Sequence, residues 1–255
     1  MQIHHWLLCL ALTFFLMPLN PLSAQDDYAS EWKQVERLKD KNQTRSALEQ
    51  VLQIQTQAKA QANQPQYLKA LVYRLGLQRG IEEKADSLSV ELLQKEIDDA
   101  PFPSRAILQS MLAELYFGYY QAHRWEINQR SFVAESPEDF QTWDVRTFFE
   151  TSTLLYLQSV ADPAELAAVP VRDYEAILNP SDGSEQYRPS LYDLLAFRAL
   201  RFLTNDATQL PQAQATFQLE TGQAFSPTAE FVAIDLDDSL PQDRHYLTWQ
   251  LFQAL

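Results

Sequence analysis

The chain has 255 residues, 34 acidic against 20 basic side chains, and a formal net charge of −14. Phosphate backbones and anionic lipid surfaces bind proteins through clustered lysine and arginine, so we expect no nucleic-acid partner. The five glycines form neither a dinucleotide-binding fingerprint nor a phosphate loop, so nucleotide binding has no support in the sequence.

The amino-terminal segment, residues 1–24, has the pattern of a secretory signal peptide. An apolar run over residues 6–19 is followed by small residues and then by Gln25. The run is shorter than the roughly 20 residues that a membrane-spanning helix needs. We therefore expect cleavage before Gln25, no stable membrane span, and export to the periplasm, the cell envelope or the extracellular space. The single cysteine, Cys9, would be removed with this segment, which excludes disulfides from the mature protein.

Five amphipathic helices are predicted in the first half of the mature chain, because apolar residues recur there every three or four positions. The marking positions are Trp32, Val35 and Leu38; Leu48, Val51, Leu52 and Ala58; Leu68, Leu71, Val72 and Leu75; Leu88, Leu92 and Leu93; and the stripe from Ile107 to Tyr120. Thr44 or Ser46 is expected to cap the second helix, and Pro65 to open the third. Gly76 and Gly80 would let a neighbouring backbone come close.

Short polar links join these helices, and consecutive helices with short links pack as antiparallel hairpins. We therefore predict an all-α fold of antiparallel helical hairpins in a solenoid-like array of the tetratricopeptide kind. The consensus of that repeat is absent. Residues 25–255 form one helical domain in this interpretation, with a possible subdivision near residues 128–142, where the periodicity loosens.

The second half predicts fewer and more widely spaced helices. The segments VRTFFETSTLLYLQSV and RPSLYDLLAFRALRFL have helical periodicity, whereas VPVRDYEAIL is too short for more than two turns. Residues 204–241 contain three prolines and little periodicity, which predicts a long ordered loop packed against the helices. A final amphipathic helix is predicted over RHYLTWQLFQAL.

The aromatic segment ELYFGYYQAHRWEIN is either a ligand platform or a buried helix. Tyr116, Tyr119 and Tyr120 fall on the apolar stripe and are therefore interpreted as core. Phe117 and Trp125 lie off the stripe. We interpret these two as contacts to a neighbouring helix or to a partner.

No pattern in the mature chain predicts catalysis, a cofactor or a metal site. Asp235, Asp237 and Asp238 alternate as in a calcium loop, but the turn glycine and the closing glutamate are missing. A solvated acidic turn is the better interpretation. His123 and His245 are too few for a metal cluster, and the GxSxG motif of serine hydrolases is absent.

The final helix presents an apolar face that nothing in the sequence covers. Tyr246, Trp249 and Phe252 lie on it together with Leu247 and Leu251. The sequence stops there without a glycine, a proline or a capping residue. We therefore expect the chain to continue into further domains, and this face to be an interaction surface.

Four segments together resemble the N-terminal helical region of the very large bacterial alpha-2-macroglobulin-like proteins. They are EWKQVERLKDKNQTRSALEQVLQI, AILQSMLAELYFGYYQAHRWEINQRS, EDFQTWDVRT and RPSLYDLLAFRALRFL. The resemblance implies a signal peptide, this helical region and then macroglobulin β-sandwich domains, in a protein that captures or inhibits proteases in or outside the envelope. The thioester of that family would lie far downstream, so no inhibitory residue is carried over to this chain.

Three functions from different classes remain open at this point. The first is a non-catalytic scaffold domain of such a protease-trapping protein, with the downstream domains and proteases as candidate partners. The second is a free-standing helical-repeat adaptor that binds a protein or peptide in a groove. The third is a glycan-binding envelope protein with exposed tyrosine and tryptophan.

Overall fold

Helices build the fold throughout the part of the chain that the structure describes. The computed structural model describes residues 28–132, 137–178, 186–205 and 217–255. Its α-helices are α1 (Ala29–Asp40), α2 (Thr44–Ala60), α3 (Gln64–Arg79), α4 (Ala85–Asp99), α5 (Ser104–Ile127), α6 (Val145–Gln158), α7 (Pro163–Ala167), α8 (Leu191–Leu203), α9 (Thr221–Ala224), α10 (Thr228–Val232) and α11 (Arg244–Ala254). Two 3-10 helices are Phe140–Thr142 and Val171–Tyr174. No β-strand occurs in these four ranges, and the predicted all-α fold is confirmed. The predicted signal peptide, residues 1–24, lies outside the described residues.

The first two connections use the same hydrogen-bonded turn. Asn42 and Ala62 adopt positive φ angles of 55° and 54°. The residue after each donates its backbone N–H to the carbonyl five positions earlier, at 2.9 Å in both cases. This is the Schellman arrangement, which satisfies the last carbonyls of a helix while reversing the chain. The turns therefore fold α1, α2 and α3 into antiparallel hairpins, as predicted.

Local details of these helices differ from the expectations. α2 begins at Thr44, but no side chain caps it. Asn63 caps α3 by accepting a hydrogen bond from the Gln66 backbone N–H at 3.2 Å, and Pro65 occupies the first turn as predicted. The expected close backbone approach at Gly76 is wrong, because a Cβ placed there would meet nothing within 4 Å.

Two hydrophobic clusters organise the described residues. A small cluster around Tyr28, Trp32 and Val35 holds α1 against α2 and one face of α3. The other face of α3, with Leu68 and Leu71, belongs to a large cluster that continues through α11. Buried positions on both faces explain the weak amphipathicity of α3, because a helix buried between two layers needs no polar side there.

The later helices do not contact one another strictly in chain order. Ser190 and Asp193 cap α8 reciprocally, with the Asp193 N–H donating to Ser190 Oγ at 3.2 Å and the Ser190 N–H donating to the Asp193 carboxylate at 2.9 Å. α8 then contacts α5, α6, α7 and α11. In a strict solenoid each repeat would contact only its neighbours in sequence. From α1 to α6 each helix contacts the next one in sequence, whereas α8 joins helices that are distant from it in the chain.

The described part of the region where a subdivision was considered, residues 128–132 and 137–142, is attached to the large cluster. Trp143 lies 4.8 Å from Tyr116, measured between ring centres, and donates its indole N–H to the Pro137 carbonyl at 2.7 Å. Arg130 donates to the carbonyls of Gln141 and Trp143, both at 2.7 Å. These contacts attach the segment to α5 and to the start of α6.

The predicted loop over residues 204–241 contains two short helices, α9 and α10. Neither helix contains a buried residue. Because neither helix has a face in the core, neither shows an apolar period in the sequence. Residues 206–216 of this stretch lie outside the described residues. Over residues 217–241, the prediction of a long loop is therefore corrected to two short helices joined by irregular segments.

The buried tyrosines predict a loss of stability at alkaline pH. Burial raises the pKa of Tyr116 and of Tyr174 to about 12, from 10.0. Between these values the unfolded chain loses the phenol protons and the folded chain keeps them, so the free energy of unfolding falls as pH rises. We expect a loss of about 2 kcal/mol from Tyr116 alone. The check is urea unfolding as a function of pH, with Tyr116→Phe flattening the alkaline limb. An unchanged slope in that variant would contradict the assignment.

Candidate interaction surface

Phe117 is a core residue, which corrects its assignment to a possible interaction surface. Its side chain is only 9% exposed. The ring meets Phe202 of α8 edge-on at 5.0 Å between centres and lies 6.4 Å from Phe149 of α6. α5 is contacted by α4, α6 and α8, so more than one stripe of this helix is buried. Contact with another helix, one of the two roles considered for Phe117, is the one observed.

The tyrosines of the same helix are core residues, as predicted. Tyr116 and Tyr120 are buried, and Tyr119 is half-buried with its ring edge-on to Phe140 at 5.0 Å. Trp125 is 83% exposed near the carboxyl end of α5. Of the aromatic residues in this segment, Trp125 is therefore the one that remains available to a partner.

Tyr246 is also buried, although it was predicted to lie on the exposed face of the last helix. It is 7% exposed and contacts the Phe217 ring edge-on at 5.4 Å. Leu247 and Leu251 are buried with it in the large cluster. The physical reason is that α11 packs on α8, which covers the side of α11 that carries these residues.

Three aromatic residues form a patch on the other side of α11, which we call the C-terminal aromatic patch. Trp249 lies 5.7 Å from Phe231 of α10 and 5.8 Å from Phe252, measured between ring centres. Phe231 and Trp249 are half-buried, and Phe252 is 41% exposed. Gln253 donates its amide to the carbonyls of Phe231 and Ile234, at 3.0 and 2.9 Å. These hydrogen bonds hold α10 beside α11 and fix the patch.

Further apolar side chains are exposed between the end of α9 and the end of the chain. Phe225 is 85% exposed, and Val232 and Leu255 are also exposed. The sequence predicted Trp249 and Phe252 for this surface but missed Phe231, because α10 has no helical period that would single it out. The signal that was present is the short apolar run over residues 231–234, between Glu230 and Asp235.

The acidic turn shows local hydrogen bonding. The Asp237 carboxylate accepts from the Ser239 N–H at 3.0 Å and from the Ser239 hydroxyl at 3.1 Å. Asp235, Asp237 and Asp238 are exposed, as expected for a solvated turn. In the part of the chain that the structure describes, no three His, Cys, Asp or Glu residues are grouped so that they could hold a metal ion.

The two histidines among the described residues, His123 and His245, are far apart in sequence and occupy different environments. The His123 ring lies 4.3 Å from that of Tyr119 on α5. His245 is in the first turn of α11, where its backbone N–H donates to the capping Asp243 carboxylate at 2.8 Å.

Comparison of the chain with protein-family models, curated proteins and solved structures finds no match. None of the described helices has the length and hydropathy needed to cross a membrane.

Proposed function

We propose that this chain is a non-catalytic helical scaffold domain of an exported alpha-2-macroglobulin-like, protease-trapping protein. Its role is to bind protein, and the proposal assigns it no catalytic residue, cofactor or metal. The segments that resemble that family support the family part of the proposal. The observation that supports protein binding is the C-terminal aromatic patch.

The patch has the composition that protein interfaces favour. Trp249, Phe231 and Phe252 contact one another, and aromatic residues are enriched at the centres of protein interfaces. The Gln253 hydrogen bonds preorganise it, which lowers the entropic cost of binding. We assign it to packing against a protein domain, the macroglobulin β-sandwich portion in this interpretation.

The patch predicts that the isolated chain binds a hydrophobic dye and self-associates. Exposed contiguous apolar surface invites association, and self-association makes the melting temperature rise with protein concentration. Phe252→Ser should remove most of the dye signal and of the concentration dependence, as measured by dye fluorescence and sedimentation velocity. Trp125→Ser is the matched control, because Trp125 is exposed on α5 outside the patch. The proposal would be contradicted if Phe252→Ser and Trp125→Ser reduced dye binding and self-association equally, or if the unsubstituted chain showed neither.

The family part of the proposal has a separate test. Sequencing the gene beyond codon 255 should reveal a long strand-rich region with the period-two alternation of β-sandwich domains. A stop codon directly after codon 255 would favour the free-standing adaptor instead.

A further inference from the structure

A groove on the amino-terminal helices contains an arginine that has no anionic partner among the described residues. α3 packs against α2 and α4, and residues of all three helices line an open groove of about 470 Å³. Arg74 of α3 donates from Nη1 to Gln55 of α2 at 3.3 Å. Its Nε atom is buried and has no hydrogen-bond partner among the described residues, and no carboxylate among them lies within 4.0 Å of its guanidinium.

Glu96 is the carboxylate among the described residues that line this groove, and it is already engaged. Tyr67 donates its hydroxyl to the Glu96 carboxylate of α4. Burial is the larger cause of a raised pKa of Tyr67, and this hydrogen bond is the second cause. The phenol therefore stays protonated and keeps donating. Lys59 of α2 adds a second cation, with Nζ 5.9 Å from the centre of the Tyr67 ring. Two cations against one carboxylate give the groove a local excess of positive charge in a chain of net charge −14.

One side of the groove is apolar and extended. Leu52, Thr56 and Ala60 recur every fourth residue along α2 and are exposed, so they form a ridge on that helix. The same three residues also line a second depression on α2 with Gln53 and Gln57. A ligand that follows the ridge is therefore elongated.

We propose that this groove binds an extended acidic peptide segment of a partner protein. A carboxylate of the peptide pairs with the Arg74 guanidinium, which is suited to carboxylates because it presents its N–H donors in a planar fork. Lys59 adds attraction at the rim, and apolar side chains of the peptide pack on Leu52 and Ala60. The site lies on α2, α3 and α4, apart from the C-terminal aromatic patch, so it is independent of the proposed function and fails or holds separately.

The test uses fluorescence anisotropy with two labelled pools of octapeptides. One pool alternates glutamate with random apolar residues, and the other has glutamine in place of glutamate. We expect the glutamate pool to bind and the glutamine pool to bind at least about tenfold more weakly, which corresponds to ~1.4 kcal/mol. Added salt should weaken the binding of the glutamate pool, because screening reduces attraction at exposed charges such as Lys59.

Arg74→Met should weaken the binding of the glutamate pool by about tenfold or more, and Arg74→Lys should restore part of it. The matched control is Arg79→Met on the same helix. Arg79 is exposed and pairs with Asp86 at 2.9 Å, and it does not line the groove. Circular dichroism of each variant reports whether the helices are retained. Equal binding of the two pools, absence of binding by both, or unchanged binding in a folded Arg74→Met variant would overturn the proposal.

Discussion

Phe117→Ala should lower the free energy of unfolding by about 3–5 kcal/mol, the usual cost of truncating a buried phenylalanine. The ring lies between α5, α6 and α8, where Phe149 and Phe202 contact it. Its removal leaves a cavity at the meeting point of three helices, and packed helices close such a cavity only in part. Urea unfolding followed by circular dichroism gives the value.

Trp125→Ala is the control for this prediction, because it removes a larger aromatic ring from the same helix at a position that is 83% exposed. Its effect should stay within about 0.5 kcal/mol. The pair separates the two roles that the sequence left open for Phe117 and Trp125. Similar small losses in the free energy of unfolding for both variants would show that Phe117 is exposed and would contradict the packing of α8 on α5.

Trp32→Ala should destabilise the amino-terminal helices selectively, by about 3–5 kcal/mol. Trp32 anchors the small cluster: its ring lies 4.7 Å from that of Tyr73, and its indole N–H donates to Gln66 at 2.7 Å. Lys69 Nζ lies 4.3 Å from the centre of the Trp32 ring, so a cation–π contact is lost as well. The cluster is small, so these contacts are a large share of those that hold α1 against α2 and α3.

Hydrogen exchange locates the effect of Trp32→Ala. Amide protection should fall in α1, α2 and α3, while α5 and α8 keep theirs, because these two helices belong to the large cluster. Lys33→Ala, at the exposed neighbouring position, should leave protection unchanged throughout. A uniform loss over all helices in the Trp32 variant would show that the two clusters unfold as one unit.

The periodicity of the sequence located most of the long helices and much of the core. Leu68, Leu71, Leu112 and Leu195 are buried where the three-and-four spacing places them. The prediction was poorest where a residue lies off the main stripe of its helix. Phe117 is the clearest case, since α5 is contacted from several sides and a single stripe underestimates its burial.

The C-terminal aromatic patch could be predicted only in part. Trp249 and Phe252 follow from the amphipathic pattern of α11, but Tyr246 belongs to the core because α8 covers that side of the helix. Phe231 joins the patch through the hydrogen bonds of Gln253 to the backbone of α10 and its following turn. A contact across more than 15 residues of aperiodic sequence leaves no local signal.

The sequence by itself determined the helical class of this protein, the positions of its long helices and the absence of cysteine after residue 9. These follow from composition and from local periodicity, which act within a few turns of helix. Only the tertiary structure decided which faces of α5 and α11 are buried, which distant helices α8 contacts, and that Arg74 lines a groove in which no carboxylate of the described residues pairs with it. Such properties depend on which distant segments pack together, and the free energy of that packing comes from contacts that no single stretch of sequence contains.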